Sequence, residues 1–358
     1  MKKILVLCPY PERRAPSQRL KFEQYYDSWR AAGYQLEVRP FWDEAAWEIL
    51  YERGHYLGKL LGLLRGLRGR ALALSAAREA ALVYLHLEAA PIGPPLIERL
   101  IAASDAPIVY DVEDLLYLPY SSASNRFMRW LRGRDKVFRL MRLSRHVVVC
   151  SEHLRRLALA HNPRVTNIAP CIDTARYQPR PHRPRTEGVV IGWTGSHSTS
   201  PYLHLLDEVL RELQRTDAIR VRVIGDAAFQ VEGLALDARP WVLETEIQDL
   251  SEVDIGVYPL PEEEWVLGKS GLKALQYMGL AIPTVAQRIG PNLEIIAPDA
   301  NGLLASGPGE WRAALRDLIR HPELRRRLGE AGRQTVLERY SVEGNRRRYL
   351  DILDEVAR

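Results

Sequence analysis

Four groups of residues have types and spacing suited to chemistry. The first is Gly268-Lys269-Ser270-Gly271, which follows the apolar run Ile255–Tyr258 and a loop and opens the stretch Leu272 to Gly279. Glycines at 268 and 271 let the backbone approach a ligand closely, and the N–H groups of a helix's first turn point toward an anion. Lys269 adds a full positive charge there. Such a set suits an anionic ligand, although a plain turn with Ser270 as helix cap uses the same residues. The second group is Gly192-Trp193-Thr194-Gly195-Ser196-His197, directly after another apolar run. Backbone N–H groups at Gly195 and Ser196 can bind a phosphate because small residues keep the approach open, and a polar connection ending in a helix cap is the competing explanation. Gly-x-Gly-x-x-Gly is absent, the Walker lysine is absent, and His197 reads as a solvated loop histidine.

The third group is Asp111, Glu113 and Asp114, at the carboxyl end of Ile108-Val109-Tyr110-Asp111, where open α/β sheets put their ligands. A carboxylate there can orient or deprotonate a hydroxyl, while Asp111 and Asp114 also suit turn and helix caps. The fourth is His86 and Glu88, at the end of a further run, together with Arg19 in the loop Pro9 to Leu20. Arg19, with Arg13 and Arg14 nearby, suits an anionic group; His86, Glu88 and Asp111 suit an acceptor.

These residues need strands to hold them. Strands are expected near Lys3–Cys8, Tyr34–Arg39, Ala81–His86, Ile108–Asp111, His146–Cys150 and Val165–Ile168, and then near Val189–Trp193, Arg220–Ile224, Trp241–Leu243, Ile255–Tyr258, Thr284–Ala286 and Leu303–Ala305. Helical stretches lie between them, the pattern of parallel sheets covered by helices. With 358 residues, 46% hydrophobic and 27% charged, the chain can fill two cores. Two such sheets imply a cleft between them. Gln178 to Arg185, proline-rich and charged, is the natural linker. Ser341 is placed to cap a last helix over 341–358 that can cross back to the first domain.

No run of eighteen uncharged apolar residues occurs, and the N-terminus reads as a strand rather than a secretory leader. Three cysteines at scattered positions support neither a disulfide framework nor a zinc site, which fits a reducing cytoplasm. The net charge of +5 divides into +12 over residues 1–186 and −7 over 187–358. A basic first half suits an anionic membrane surface or a phosphorylated acceptor better than nucleic acid, since no nucleic-acid motif accompanies it. Two helical stretches invite peripheral membrane contact: Leu57 to Leu74, with leucines at helical spacing, and the strongly basic Arg126 to Arg145, with Phe127 and Trp130. A helix covering a sheet with a solvated charged face is the plainer reading of both.

Gly268 to Met278, then Ile282-Pro283-Thr284-Val285-Ala286, resembles the donor-site region of glycosyltransferase family 4. Gly290 to Ile296 and Asn301 to Ala305 resemble that family's next loop, helix and strand, and Val147 to Ser151 and Pro170 to Asp173 resemble the end of its first domain. The resemblance implies a GT-B-like α/β fold: a Rossmann-like acceptor domain over 1–182 and a Rossmann-like donor domain over 183–340, facing across a cleft. It implies a glycosyltransferase using a nucleoside-diphosphate sugar, UDP favoured, on a glycan, lipid-linked or small-molecule hydroxyl acceptor, with retention of configuration and no metal or other cofactor. In that family two glutamates separated by seven intervening residues contact the donor; Gly268 and Gln276 occupy those positions here. Gln276 can still bond a ribose hydroxyl through its amide, Lys269 can neutralise the diphosphate, and the stretch Trp241 to Glu246, with Glu244, would line the base. Lys269, Glu113 and Asp114 are then the catalytic candidates. A nucleotide-sugar epimerase and a non-catalytic sugar-nucleotide-binding relative remain the alternatives.

Overall fold

The computed structural model describes residues 2–52, 54–115, 135–180 and 188–357. The chain divides into two compact units, one of Met1–Pro170, Gly268–Ser270 and Asn345–Arg358, the other of Cys171–Leu267 and Gly271–Gly344. The expected linker falls largely on residues 181–187, outside the described residues, as do Phe127 and Trp130 of the basic stretch.

The first unit holds β1 (Lys2–Cys8), β2 (Tyr34–Pro40), β3 (Leu82–His86), β4 (Ile108–Val112), β5 (His146–Val149) and β6 (Val165–Asn167), all parallel in the order β2-β1-β3-β4-β5-β6. The second holds β7 (Val189–Thr194), β8 (Ile219–Ile224), β9 (Leu236–Arg239), β10 (Ile255–Tyr258), β11 (Thr284–Gln287) and β12 (Leu303–Ala305), also parallel, in the order β12-β11-β10-β7-β8-β9. Strands covered on both faces are continuous apolar runs, as Ile4 to Cys8 and Leu82 to Leu85 are, every one of them fully buried. Each such side chain contributes roughly 1.5–3 kcal/mol on burial. In the second unit the helices Asp207–Thr216, Pro308–Arg320 and Pro322–Thr335 close the core with Leu210, Leu213, Leu315, Leu318 and Leu328.

One strand differs from expectation. Trp241–Leu243 lies outside the sheet, and β9 is instead Leu236-Asp237-Ala238-Arg239. It is an edge strand, half-buried throughout, bound by ion pairs of Asp237 with Arg222 and Arg239 rather than by an apolar run. A hydrophobicity pattern therefore passes over it.

The helix Tyr56–Glu79 overturns the plainer reading of its leucines. It packs inward through Gly62, Gly66, Arg70, Ala73, Ala76 and Ala77, while Leu57, Leu60, Leu61, Leu64 and Leu72 are each about half exposed or more. A side chain at Gly62 would meet Ala46 and Trp42, and one at Gly66 would meet Phe41. Arg70, fully buried, donates to the carbonyls of Cys8, Arg39 and Ala89, fastening the helix to three strand ends. The last helix, Val342–Val356, is capped by Ser341, whose Oγ accepts the N–H of Gly344 at 3.2 Å. Its residues from Asn345 onward pack with the first unit: Tyr34 donates to Asp354 at 2.6 Å, Arg348 to the Asn167 carbonyl at 2.7 Å, and the Tyr349 ring sits 4.6 Å from Tyr25.

Candidate functional site

In the first unit the chain leaves β1 for β2 on one side and returns for β3 on the other, so β1 and β3 form the topological switch point where open sheets bind ligands. Residues just past the ends of β1 to β4 line a cavity of about 190 Å³ there: Pro9 and Tyr10, Phe41 and Trp42, Leu87 and Glu88, Glu113 and Asp114. Ser17 and Pro91 complete it. Two of these residues hold left-handed backbone although neither is glycine, Leu87 at φ 60° and Asp114 at φ 60°. Leu87 is the centre of a tight three-residue turn in which the Glu88 N–H donates to the His86 carbonyl at 2.8 Å, and its own N–H donates to Asp111 O at 2.8 Å. A bulky residue in that conformation is strained, and the strain is spent on aiming Glu88 at the cavity.

His86 and Asp111 do not line the cavity; they form part of its support. The Asp111 carboxylate, fully buried, lies 3.0 Å from His86 Nδ1, accepts the Tyr84 hydroxyl at 2.9 Å and sits 3.4 Å from Lys21 Nζ. Burial pushes its pKa up, but Lys21, His86 and Tyr84 together outweigh burial and hold it below the ordinary carboxylate range. Lys21 also donates to the carbonyls of Val149 and Ile168, so one buried ammonium ties together β4, β5 and β6. Arg19 is likewise buried, at the end of the short helix Pro16–Arg19, and is not among the lining residues; Ser17 of that helix is.

Glu113 is 7% exposed, and its Oε1 has no hydrogen-bond partner among the described residues. Burial pushes its pKa up to about 8, against the pull of Lys21 and with the push of Asp111 and Asp114. Beside it, Asp114 Oδ1 accepts from Lys269 Nζ at 2.9 Å, both side chains being partly exposed. The tripeptide bearing Lys269 thus belongs to the first unit. Gly268 is required there by close approach: a Cβ would meet the backbone nitrogen of Leu115 at 2.7 Å and its Cγ at 2.6 Å. No larger side chain fits, which explains why glutamate does not stand at this position.

In the second unit, the strand order read from the other edge is β9-β8-β7-β10-β11-β12, the dinucleotide-fold order with its switch point between β7 and β10. The Trp193 ring from β7 and the Tyr258 ring from β10 flank Lys273, whose Nζ lies 5.5 Å and 5.2 Å from their centroids. In sequence Lys273 shows only as a second cation in the first turn of the helix Leu272–Gly279, and the two rings beside it come from distant strands. That helix is capped by Gly271 at φ 70° rather than by Ser270, so its N-cap residue contributes no side-chain hydrogen bond. A Cβ at 271 would also strike Ile295 at 2.2 Å.

Gln276 is buried, and its amide donates to the Tyr177 hydroxyl at 3.1 Å and to Glu246 Oε1 at 3.2 Å. Trp241 Nε1 donates to the same oxygen at 3.1 Å. The expected base-lining stretch and the expected ribose contact are therefore brought together, but through Glu246; Glu244 is exposed two residues away. The loop after β7 differs from expectation in its donors. Gly195 N–H donates to Ile224 O at 3.0 Å, within the ladder to β8, and Ser196 N–H donates to Thr199 Oγ1 at 3.2 Å. A phosphate at this loop would displace the Thr199 hydroxyl from Ser196.

Residues 188–321 match the family described as Glycosyl transferases group 1. No curated protein matches the sequence. Among solved structures, HepE of Anabaena in complex with UDP-glucose superposes with a TM-score of 0.72 at 15% identity, covering 99% of this chain and 100% of that one. A glycosyltransferase from Rickettsia africae ESF-5 gives 0.72 at 12% identity, covering 99% of each chain. Sucrose-phosphate synthase from Thermosynechococcus elongatus gives 0.69 at 13%, covering 99% of each. The chain is thus an α/β protein of the GT-B fold, and its residues 188–321 are similar to the group 1 glycosyl transferases.

Proposed function

We propose that the chain transfers a sugar from a nucleoside-diphosphate sugar, UDP-sugar favoured, to a hydroxyl acceptor held in the cavity lined by Glu88, Glu113 and Asp114. The observation that carries this reading is the Lys269–Asp114 ion pair one residue from Glu113. It puts a cation suited to a leaving diphosphate beside a carboxylate suited to an acceptor hydroxyl. When the donor's diphosphate arrives, Lys269 exchanges Asp114 for phosphate oxygens. The acceptor oxygen bonds to the anomeric carbon as the bond from that carbon to the diphosphate breaks; the electron pair leaves with UDP, and the acceptor's proton passes to Glu113. Because Glu113 and Lys269 are neighbours, the acceptor approaches from the side of the leaving group, which favours retention. The Gln276–Glu246 pair supplies the ribose contact. The diphosphate charge is carried by lysines rather than by a metal ion.

Calorimetry with UDP tests the central assignment: Lys269→Ala should bind at least tenfold more weakly, and unchanged binding would remove Lys269 from the mechanism. Incubation with UDP-sugar alone separates the alternatives, since an epimerase converts the donor without acceptor and a non-catalytic relative binds without turnover.

The second partner we propose is an anionic lipid surface meeting the helix Tyr56–Glu79. Its five exposed leucines, with Tyr56 at 84% exposure, lie among Lys59, Arg65, Arg68 and Arg78, against Glu79 as the only acid of that helix. A second copy of the same face would oppose cation to cation. Sedimentation with vesicles should show binding to anionic but not neutral lipid at low salt, weakened at least tenfold by Leu60→Ser with Leu64→Ser; equal recovery with both lipids would sink this assignment. Among the described residues no helix is long and apolar enough to cross a membrane.

A further inference from the structure

Two residues of the cavity wall, Phe41 and Trp42, are also the surface on which the helix Tyr56–Glu79 rests. A Cβ at Gly66 would come within 2.7 Å of the Phe41 ring, and one at Gly62 within 3.5 Å of the Trp42 ring. A third wall residue, Tyr10, belongs to a cluster of three aromatic rings that reaches from the cavity to the surface. Its ring meets that of Trp47 edge-on at 4.9 Å, Trp47 meets Tyr51 edge-on at 5.7 Å, and the hydroxyls of Tyr51 and Tyr10 lie 3.3 Å apart. Trp47, on the helix Glu44–Leu50, and Tyr51, just past its end, share a face because residues four apart on a helix are neighbours. Tyr51 is 58% exposed.

Tyr51 is fixed beside the first turns of the leucine helix. Lys59 donates to the carbonyl of Glu52, the residue after Tyr51, and a Cβ at Gly58 would meet Ile49 at 2.7 Å. Arg65 pairs with Asp43, the cap of the helix Glu44–Leu50, at 2.6 Å. Leu57, Leu60, Leu61 and Leu64 share one side of their helix and are all exposed. From the cavity outward there follow carboxylates, then Tyr and Trp with apolar bodies and polar tips, then exposed leucines. The same succession, polar to amphipathic to apolar, is met on passing from a lipid's headgroup to its acyl chain.

We propose that the acceptor is an amphiphile whose hydroxyl-bearing head enters the cavity beside Glu113 and whose alkyl chain leaves across Tyr10, Trp47 and Tyr51 toward the exposed leucines. A membrane-seated helix then presents the cavity to a head whose chain stays in the bilayer, and the water-soluble sugars lose the part of the binding energy that the chain supplies. The word acceptor rests on the glycosyl-transfer reading; the alkyl track does not.

The probes are glucosides and glycerol ethers bearing either a methyl or an octyl chain, titrated calorimetrically into the full chain below their micelle concentrations, with UDP titrated separately into the same preparation. A fully buried methylene is worth about fourfold in affinity, so the octyl member of at least one pair should bind tenfold or more tightly than its methyl partner even with its chain only partly covered. Tyr51→Ser, at an exposed position, and Trp47→Leu should each reduce that octyl advantage several-fold, a ratio that a general loss of folding would not move. Equal binding of methyl and octyl probes, no binding by either octyl probe, or an octyl advantage that survives both substitutions overturns the proposal. If UDP fails to bind while the octyl advantage holds and falls with Tyr51→Ser, the transferase reading falls and the alkyl track stands; if UDP binds and chain length has no effect, the track alone falls.

Discussion

If Glu113 takes the acceptor's proton, its protonation state must control the rate. Burial in the cavity wall lifts its pKa to about 8, so the catalytic carboxylate is the minor form at neutral pH. With that value roughly one tenth of the molecules are ionised at pH 7 and roughly one hundredth at pH 6, which predicts a kcat/KM rising about tenfold per pH unit up to pH 8 and levelling above it. The assay is UDP release with a saccharide acceptor between pH 5.5 and 9, on the parent and on Glu113→Gln. The variant should lose about 10²- to 10⁴-fold in rate and the rising limb with it. The same shift has a stability consequence of defined sign. A carboxyl whose folded pKa is raised keeps its full contribution below its unfolded pKa, about 4.5, and loses it as pH rises toward 8. Stability should therefore fall across that window by at most about 1.4 kcal/mol per pH unit, and Glu113→Gln should flatten the fall. A pH-independent rate from 6 to 9, or an active Glu113→Gln, refutes the assignment of Glu113 as base.

Further outcomes follow from the same geometry. Lys273→Met should weaken UDP binding in calorimetry by about tenfold, through loss of a charge-assisted contact of ~1.5 kcal/mol. Gly268→Ala places a methyl 2.7 Å from the Leu115 backbone nitrogen and should lower thermal stability by about 1–3 kcal/mol, read as a drop in Tm. Asp114→Asn frees Lys269 from its ion pair and should tighten UDP binding while slowing transfer, a split between affinity and rate that steady-state kinetics resolves. Treatment with EDTA should leave transfer unchanged, since lysines carry the diphosphate; loss of activity restored by a divalent cation would overturn the metal-free reading.

Much of this protein was legible in the chain itself. Strands such as β1, β7 and β10 announce themselves because a strand covered on both faces must be apolar at every position, and the residues following them inherit the carboxyl ends where ligands bind. Glu113 and Asp114 could be named as candidates from that logic, and Lys269 from a glycine turn before a helix together with the family resemblance around it. Sequence by itself did not reveal which residues face which way. The helix Tyr56–Glu79 has a leucine stripe that periodicity assigns to a core, yet Gly62 and Gly66 allow Phe41 and Trp42 to approach its backbone and turn the leucines outward. His86 and Asp111 sit at the predicted strand ends but point into a buried network with Lys21, and Gly195 spends its N–H in the ladder. Strand β9, Lys273 and Glu246 depend on strand order and on partners distant in the chain. Local composition determines secondary structure because propensity and periodicity act over a few residues; it cannot determine a cavity, because burial, charge compensation and pKa are set by side chains that meet only when distant segments fold together.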